Sequence, residues 1–256
     1  MDPTISRHVV CLGDSITRGQ VSADYLRLLE SRTAAHQFRF TNAGVNGDLA
    51  YNALQRLDAV IDLQPDVVTV LIGTNDANAS LTETNIRMMT RMKKLATRPT
   101  IDWYRDSLTS IVHRLTSETD ARVALLSLPV LGEELGTESV QRSVQYSAVV
   151  REIAETHQVA YLPLNEQQIN HLIAIEHVPG IRFRDGRALS ARAATQHFLL
   201  RRSFDDIARR RGLALTTDMI HQNTCGATMI ADLIVEFLTT ADLGTPATIT
   251  QKETDR

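Results

Sequence analysis

The sequence predicts an α/β fold, a three-layer α/β/α sandwich around a central, mostly parallel five-stranded sheet. Two observations predict it. Short apolar runs recur along the chain, and each is followed by a stretch with apolar side chains at helical spacing. No internal repeat and no linker-like stretch rich in Pro, Gly or Ser divides the 256 residues. Residues 1–256 are therefore expected to form one domain.

The elements follow in order. His8 to Leu12 is a short apolar run ending at Gly13, as a buried parallel strand does. Val21 to Ala35, with Tyr25, Leu28 and Leu29 at helical spacing, predicts a helix. Phe38 to Thr41 predicts the second strand. Leu49 to Leu63 predicts a second helix, with Leu54, Leu57, Val60 and Ile61 on one face. Pro65 and Asp66 end it and admit the third strand, Val67 to Ile72, apolar on both faces apart from Thr69. Ser80-Leu81-Thr82-Glu83 fits a capping box for a helix over Thr84 to Leu95. Pro99-Thr100 opens another, to about Ser117. Arg122 to Leu128 is the fourth strand, Ser139 to His157 a helix, and Val159 to Leu162 the fifth strand. Positions 165–216 read as a helical insertion with loops at Pro179-Gly180 and Asp185-Gly186. Ala227 to Thr239 is the last helix, and the tail from Gly244 is expected to fray.

Composition narrows the function classes. Apolar residues at 43% are enough for a sizeable core, and a net charge of −3 sets up no field that would gather nucleic acid. Arg201-Arg202 and Arg209-Arg210-Arg211 read as solvated helix faces. Two cysteines, Cys11 and Cys225, are too few for a disulfide framework and read as reduced and mostly buried. No apolar run is long enough to span a membrane, and Met1-Asp2-Pro3-Thr4 does not start a secretory signal. A cytoplasmic protein with no integral membrane association is expected. Oligomeric state is not readable.

Four segments carry chemistry. Gly13-Asp14-Ser15 follows the first strand, where a serine sits on a strand-to-helix turn with its N–H at a helix N-terminus. Asn42-Ala43-Gly44-Val45-Asn46-Gly47-Asp48 follows the second, and its glycines let backbone approach a ligand closely. Gly73-Thr74-Asn75-Asp76 follows the third, and an Asn amide there can donate to a developing oxyanion. Asp218-Met219-Ile220-His221 precedes the last helix, a spacing that can set a carboxylate beside the imidazole it orients. Each segment alone is also an ordinary turn. Together, in one order and each at an element edge, they supply what acyl transfer requires.

These four segments resemble the four signature blocks of the SGNH hydrolases, also called GDSL esterases and lipases. The resemblance runs from Gly13 to His221 and implies the family's flavodoxin-like fold and a serine esterase. It implies Ser15 as nucleophile, His221 as general base and then acid, and Asp218 as its orienter. The implied oxyanion hole is the Ser15 N–H, the Gly47 N–H and the Asn75 side chain. Gly47 is taken over Gly44 because the family's glycine precedes a polar residue and a helix, as Gly47 precedes Asp48 and Leu49. Asp14 and Asp76 are expected to brace loops. Many members have Pro after the histidine, where this chain has Gln222-Asn223.

The implied reaction needs no metal and no organic cofactor, and its partner is a small-molecule ester. Short-chain acyl esters, acetylated sugars, lysophospholipids and thioesters all fit, because specificity lies in pocket walls. The alternative is a catalytically silent binding module on the same scaffold. A dinucleotide-binding protein would need G-x-G-x-x-G, which the second segment lacks. His171 and His177, six apart, do not share a helix face as ligands would. Met88, Met89 and Met92 read as a core-facing stripe, and Trp103 and Tyr104 as helix-packing residues.

Overall fold

The recurring apolar runs become five strands: β1 (Arg7–Gly13), β2 (Phe38–Gly44), β3 (Val67–Leu71), β4 (Arg122–Leu126) and β5 (Ala160–Leu162). The computed structural model describes residues 6–34, 38–183 and 201–240. The strands form one sheet in the order β2-β1-β3-β4-β5, and every pairing is parallel. The sheet is thus wholly parallel rather than mostly so, because a helical crossover returns the chain to the same end before each new strand.

Eleven helices are described: α1 (Ser15–Arg18), α2 (Tyr25–Arg32), α3 (Ala50–Gln55), α4 (Asp58–Ile61), α5 (Thr74–Ala79), α6 (Glu83–Lys93), α7 (Ile101–Glu118), α8 (Glu138–Thr156), α9 (Leu164–Ala174), α10 (Phe204–Arg210) and α11 (Thr224–Thr240). None of them is long and apolar enough to cross a membrane. The tail from Gly244, the Asp185-Gly186 loop and Ala35 lie outside the described residues.

Several boundaries differ from the sequence reading, each for a local reason. The helix read from Val21 starts at Tyr25, because the Asp24 carboxylate caps the Leu26 and Arg27 N–H groups. The helix read over Leu49 to Leu63 is two pieces. At Arg56 and Leu57 the N–H groups bond to Ala53 and Leu54, three residues back, and the tightened turn breaks the run. The cap of α6 is Thr82 rather than Ser80: its hydroxyl accepts from Asn85 N–H, while the Ser80 hydroxyl donates to the Ala77 carbonyl. Gly73 to Asp76 is not a plain turn but the start of α5. β2 runs on to Gly44, so Asn42, Ala43 and Gly44 lie in the strand rather than after it.

Strand side chains alternate between two cores. Val10, Leu12, Val68, Val70 and Leu125 pack with Ala53, Leu108, Ile111 and Val149 of α3, α7 and α8. Val9, Cys11, Val67, Leu71 and Ala124 pack with Leu29, Ile230 and Ile234 of α2 and α11. Cys11 is buried there and Cys225 is half-buried; both are free thiols. Tyr104 is a core residue whose hydroxyl donates to the Ile72 carbonyl, and Trp103 stacks on Tyr51. Of the three methionines, Met89 is buried and Met92 is half exposed, so the stripe is only partly core-facing.

The register decides where chemistry can gather. Gly13 pairs with Gly44 on one side and Leu71 on the other, so β1, β2 and β3 end level. Their loops emerge together at the carboxyl edge, on both sides of the strand where the order reverses. That crevice is where parallel sheets bind ligands.

Candidate active site

Ser15 is the first residue of α1 and is nearly buried. Asp14 caps this helix, its Oδ1 accepting from Ile16 N–H at 2.9 Å. The cap takes the second N–H and leaves that of Ser15, which a helix start does not satisfy internally. Gly44 makes this close packing possible. A Cβ at Gly44 would stand 2.4 Å from the Arg18 nitrogen, so α1 could not sit against β2 with any other residue there.

The fourth segment comes from the far end of the chain. Thr216 and Gln222 form an antiparallel bridge, and Thr217 N–H bonds to the His221 carbonyl at 2.8 Å. This makes a small hairpin with Asp218 and His221 at its tip. Asp218 Oδ1 accepts from His221 N–H at 2.8 Å and Ile220 N–H at 3.1 Å. Its Oδ2 lies 2.8 Å from His221 Nδ1. The other ring nitrogen, Nε2, lies 3.0 Å from Ser15 Oγ. Ser15, His221 and Asp218 therefore form one connected chain of hydrogen bonds. Between them Met219 is fully buried with φ of +74°, a left-handed conformation that costs a non-glycine residue about 1–3 kcal/mol. That bend lets the Asp218 carboxylate meet both the backbone and the ring of His221.

His221 is an imidazole under opposing pulls. Burial disfavours its charged form. The Asp218 carboxylate, by charge and by hydrogen bond, and the charge of Asp14 outweigh burial, and its pKa stands above 6.5.

Asn75 lies in the first turn of α5. Its Nδ2 donates to Asp14 Oδ2 at 3.2 Å and to the Asp48 carbonyl at 3.0 Å. These two acceptors fix the orientation of the amide. Gly47 has φ of +73°, and the carbonyl of its neighbour Asp48 is the one that accepts from Asn75. Gly44 differs: its N–H is already taken by Asn42 Oδ1. Asp48 is itself clamped, by Arg56 Nε at 2.8 Å and Lys93 Nζ at 3.1 Å. Arg56 also reaches the Gly13 carbonyl and pins this loop to the sheet edge, and Lys93 reaches the Asn46 carbonyl and ties the loop to α6.

Three carboxylates, Asp14, Asp48 and Asp76, are buried at this edge. Asp48 has two cations. Among the described residues Asp14 has no Lys or Arg bound to it, and burial pushes its carboxyl up to about 6. Asp76 accepts from Ala50 N–H at the start of α3, and burial pushes it up to about 7, with the charges of Asp14 and Asp48 adding to the effect. Both brace loops, as the sequence suggested.

Other residues of the site carry no local signal in the sequence. Gln222 is fully buried: its N–H bonds to Ser22 Oγ, its Oε1 accepts from Gln168, and its Nε2 donates to the Ile220 carbonyl. It fills the place after the histidine where many family members have Pro. Arg211, read as part of a solvated run, donates to the Thr217 carbonyl at 2.6 Å and holds the hairpin. Arg201 lies outside any helix, while Arg209 and Arg210 are exposed on α10 as expected. His171 is on α9, and His177 stands 2.8 Å from Glu133. Among the described residues no group of three or more His, Cys, Asp or Glu is placed to hold a metal ion.

Comparison with known proteins gives a consistent result. The profile of the family described as "GDSL-like Lipase/Acylhydrolase family" matches residues 11–177, more than half of the chain. That range holds Ser15, Gly47 and Asn75; Asp218 and His221 lie beyond it. No curated protein matches by sequence. Among solved structures, the acetyl xylan esterase AlAXEase is similar at 18% identity and a TM-score of 0.66, over 90% of this chain and 99% of that one. The lipase/acylhydrolase from Enterococcus faecalis is 22% identical with a TM-score of 0.59, over 92% and 96%. Axe2, an acetylxylan esterase from Geobacillus stearothermophilus, is 17% identical with a TM-score of 0.65, over 93% and 97%. These likenesses show a shared fold.

The Asp76 geometry yields a stability prediction. With a folded pKa near 7 against 3.8 unfolded, the native state holds a proton that the unfolded chain has released. The associated stability is full below about pH 4 and is lost as pH rises to about 7, at up to about 1.4 kcal/mol per pH unit. Asp76→Asn keeps an acceptor for Ala50 N–H and carries no charge. Urea unfolding is expected to find it more stable than the parent at pH 8, with the gap shrinking toward pH 4. A gap that does not change with pH would contradict the buried charge.

Proposed function

Because the chain belongs to the GDSL-like lipase/acylhydrolase family and is a carboxylic ester hydrolase, we propose that it works through a Ser15 acyl-enzyme. One observation carries this reading: Ser15 Oγ, His221 Nε2, His221 Nδ1 and Asp218 Oδ2 are joined by contacts of 3.0 and 2.8 Å. A silent binding module has no need of that alignment.

The steps follow from the geometry. Ser15 Oγ attacks the ester carbonyl carbon while its proton passes to His221 Nε2. Asp218 holds the other ring N–H and stabilises the imidazolium that forms. The carbonyl oxygen, now negative, is received by the Ser15 and Gly47 N–H groups and Asn75 Nδ2. In the resting site both Nδ2 hydrogens are engaged, and the longer bond, to Asp14 Oδ2, is the one the oxyanion displaces or shares. His221 then gives its proton to the leaving alcohol. Water enters, loses a proton to His221 and attacks the acyl carbon; the Ser15 Oγ–acyl bond then breaks as His221 returns that proton to Oγ, which restores Ser15 and releases the acid.

Three outcomes are expected. A fluorophosphonate probe labels the protein, and Ser15→Ala abolishes both labelling and ester hydrolysis; labelling that survives in a folded Ser15→Ala protein contradicts the nucleophile. A panel of p-nitrophenyl esters graded by chain length, with one acetylated sugar and one thioester, serves as substrate. Asn75→Ala lowers kcat by about 10²–10³-fold, and near-normal turnover would remove Asn75 from the oxyanion hole. The acid limb of kcat/KM has its midpoint above 6.5, since the imidazolium cannot accept the Ser15 proton. Asp218→Asn moves that midpoint down. A limb that stays flat, or does not move in Asp218→Asn, counts against His221 as the base.

A further inference from the structure

Glu133 lies in the loop between β4 and α8 and has no exposed surface. A carboxylate removed from water costs several kcal/mol unless hydrogen bonds replace its hydration. Here they do, and among the described residues all of them come from one tripeptide. Oε2 accepts from Ala214 N–H at 2.7 Å. Oε1 accepts from Leu215 N–H at 3.0 Å, Thr216 N–H at 2.7 Å and the Thr216 hydroxyl at 2.6 Å. His177 Nε2 is 2.8 Å from Oε2, at ion-pair distance but without the angle of a hydrogen bond.

The bound tripeptide is the incoming arm of the hairpin that carries Asp218 and His221. That hairpin belongs to neither the sheet nor a helix, and Thr216 makes its one bridge, to Gln222. The residue before Glu133 holds the tip as well: Gly132 N–H donates to the Met219 carbonyl at 2.8 Å. The loop after β4 therefore grips both the arm and the tip. Ser15, in contrast, is fixed from the β1 side through Asp14 and Gly44. The outgoing arm is tied on the Ser15 side, where Gln222 N–H donates to Ser22 Oγ at 3.0 Å and Ala23 N–H to the Gln222 carbonyl at 2.8 Å, so the Glu133 grip on the incoming arm is the second of two anchors that set the reach from His221 Nε2 to Ser15 Oγ.

We infer that Glu133 is a positioning residue for the hydrolytic site: its carboxylate fixes the hairpin arm and so sets the distance of His221 from Ser15. This rests on the roles proposed for Ser15 and His221. A displacement of the base by about 1 Å costs about 10²-fold in rate, and it slows proton transfer without altering the pocket that binds substrate. The loss therefore falls on kcat and kcat/KM alike.

The test compares Glu133→Ala, Glu133→Gln and Thr216→Val with the parent. Each is assayed well below its melting temperature for kcat, KM and the rate of fluorophosphonate labelling. Glu133→Ala is expected to lose about 10²-fold in kcat and in labelling rate with KM unchanged. Glu133→Gln keeps an oxygen for the Leu215 and Thr216 donors but sets an NH₂ against Ala214 N–H, and its loss is intermediate. Thr216→Val removes only the hydroxyl bond and shows a smaller loss of the same kind. If Glu133→Ala does not fold, the other two carry the test. Folded variants that melt lower but keep the parent's kcat and labelling rate would reduce Glu133 to a structural anchor and overturn the inference. Ser15→Ala in the same series separates the two ideas: if it is inactive while the Glu133 variants are normal, only the positioning role falls. If it is active, the serine reading itself falls.

Discussion

Ser15 and His221 are 206 positions apart in the chain, and the hydrogen bond of 3.0 Å between them is the constraint the rest of the site serves. One partner is rigid by construction. Ser15 follows a central strand with neighbours on both sides, and α1 is wedged against Gly44 so closely that no side chain fits between. The other partner rides on a short hairpin with a single bridge. Its stiffness comes from outside: from Glu133 and Gly132, from Arg211 on Thr217, and from Gln222 tied to Gln168 and Ser22. The strained backbone at Met219 persists because these contacts over-determine it.

Buried charge is the second theme. Four carboxylates around Ser15 are nearly inaccessible to water: Asp14, Asp48, Asp76 and Asp218. Each is held differently. Asp48 has two cations, Asp218 has the His221 ring and two backbone N–H groups, and Asp14 has an N–H and the Asn75 amide. Asp76 has the Ala50 N–H. The ordering has chemical sense. Asp218, held by two backbone N–H groups, faces the imidazole. The poorly compensated ones sit behind the loops, where burial raises their proton affinity. Asp14 links the two sets, since it caps α1, orients Asn75 and lends its charge to His221.

What the sequence made legible was the part written in local pattern. Val67 to Leu71 is apolar apart from Thr69 and is the buried centre of the sheet. Ser15, Asn75 and the glycine-bearing second segment stand beside strand ends, so reading the strands located them. Asp218 and His221 share one short stretch. Short-range competition blurred the boundaries: an aspartate cap at Asp24 and a tightened turn at Arg56 outweighed apolar periodicity. The hairpin's supports were not legible. Glu133 is one of two adjacent acids in a loop, nothing in the sequence separates it from Glu134, and its hydrogen-bond partners lie more than 80 residues away. Arg211 looks like the end of a solvated charge run, and Gln222 like a departure from a family habit. Only the folded chain brings Gln222 to Ser22, 200 residues distant.

The central claim is that Ser15 carries the acyl group between the two halves of the reaction. Rapid acid quench of the parent protein during turnover of an activated acetyl ester, followed by peptide mass spectrometry, tests it most directly. The account predicts acetyl on the peptide containing Ser15, with Ser15 as the modified residue, and no adduct there in Ser15→Ala. Normal turnover with no acyl adduct, or with the adduct on another residue, would contradict it.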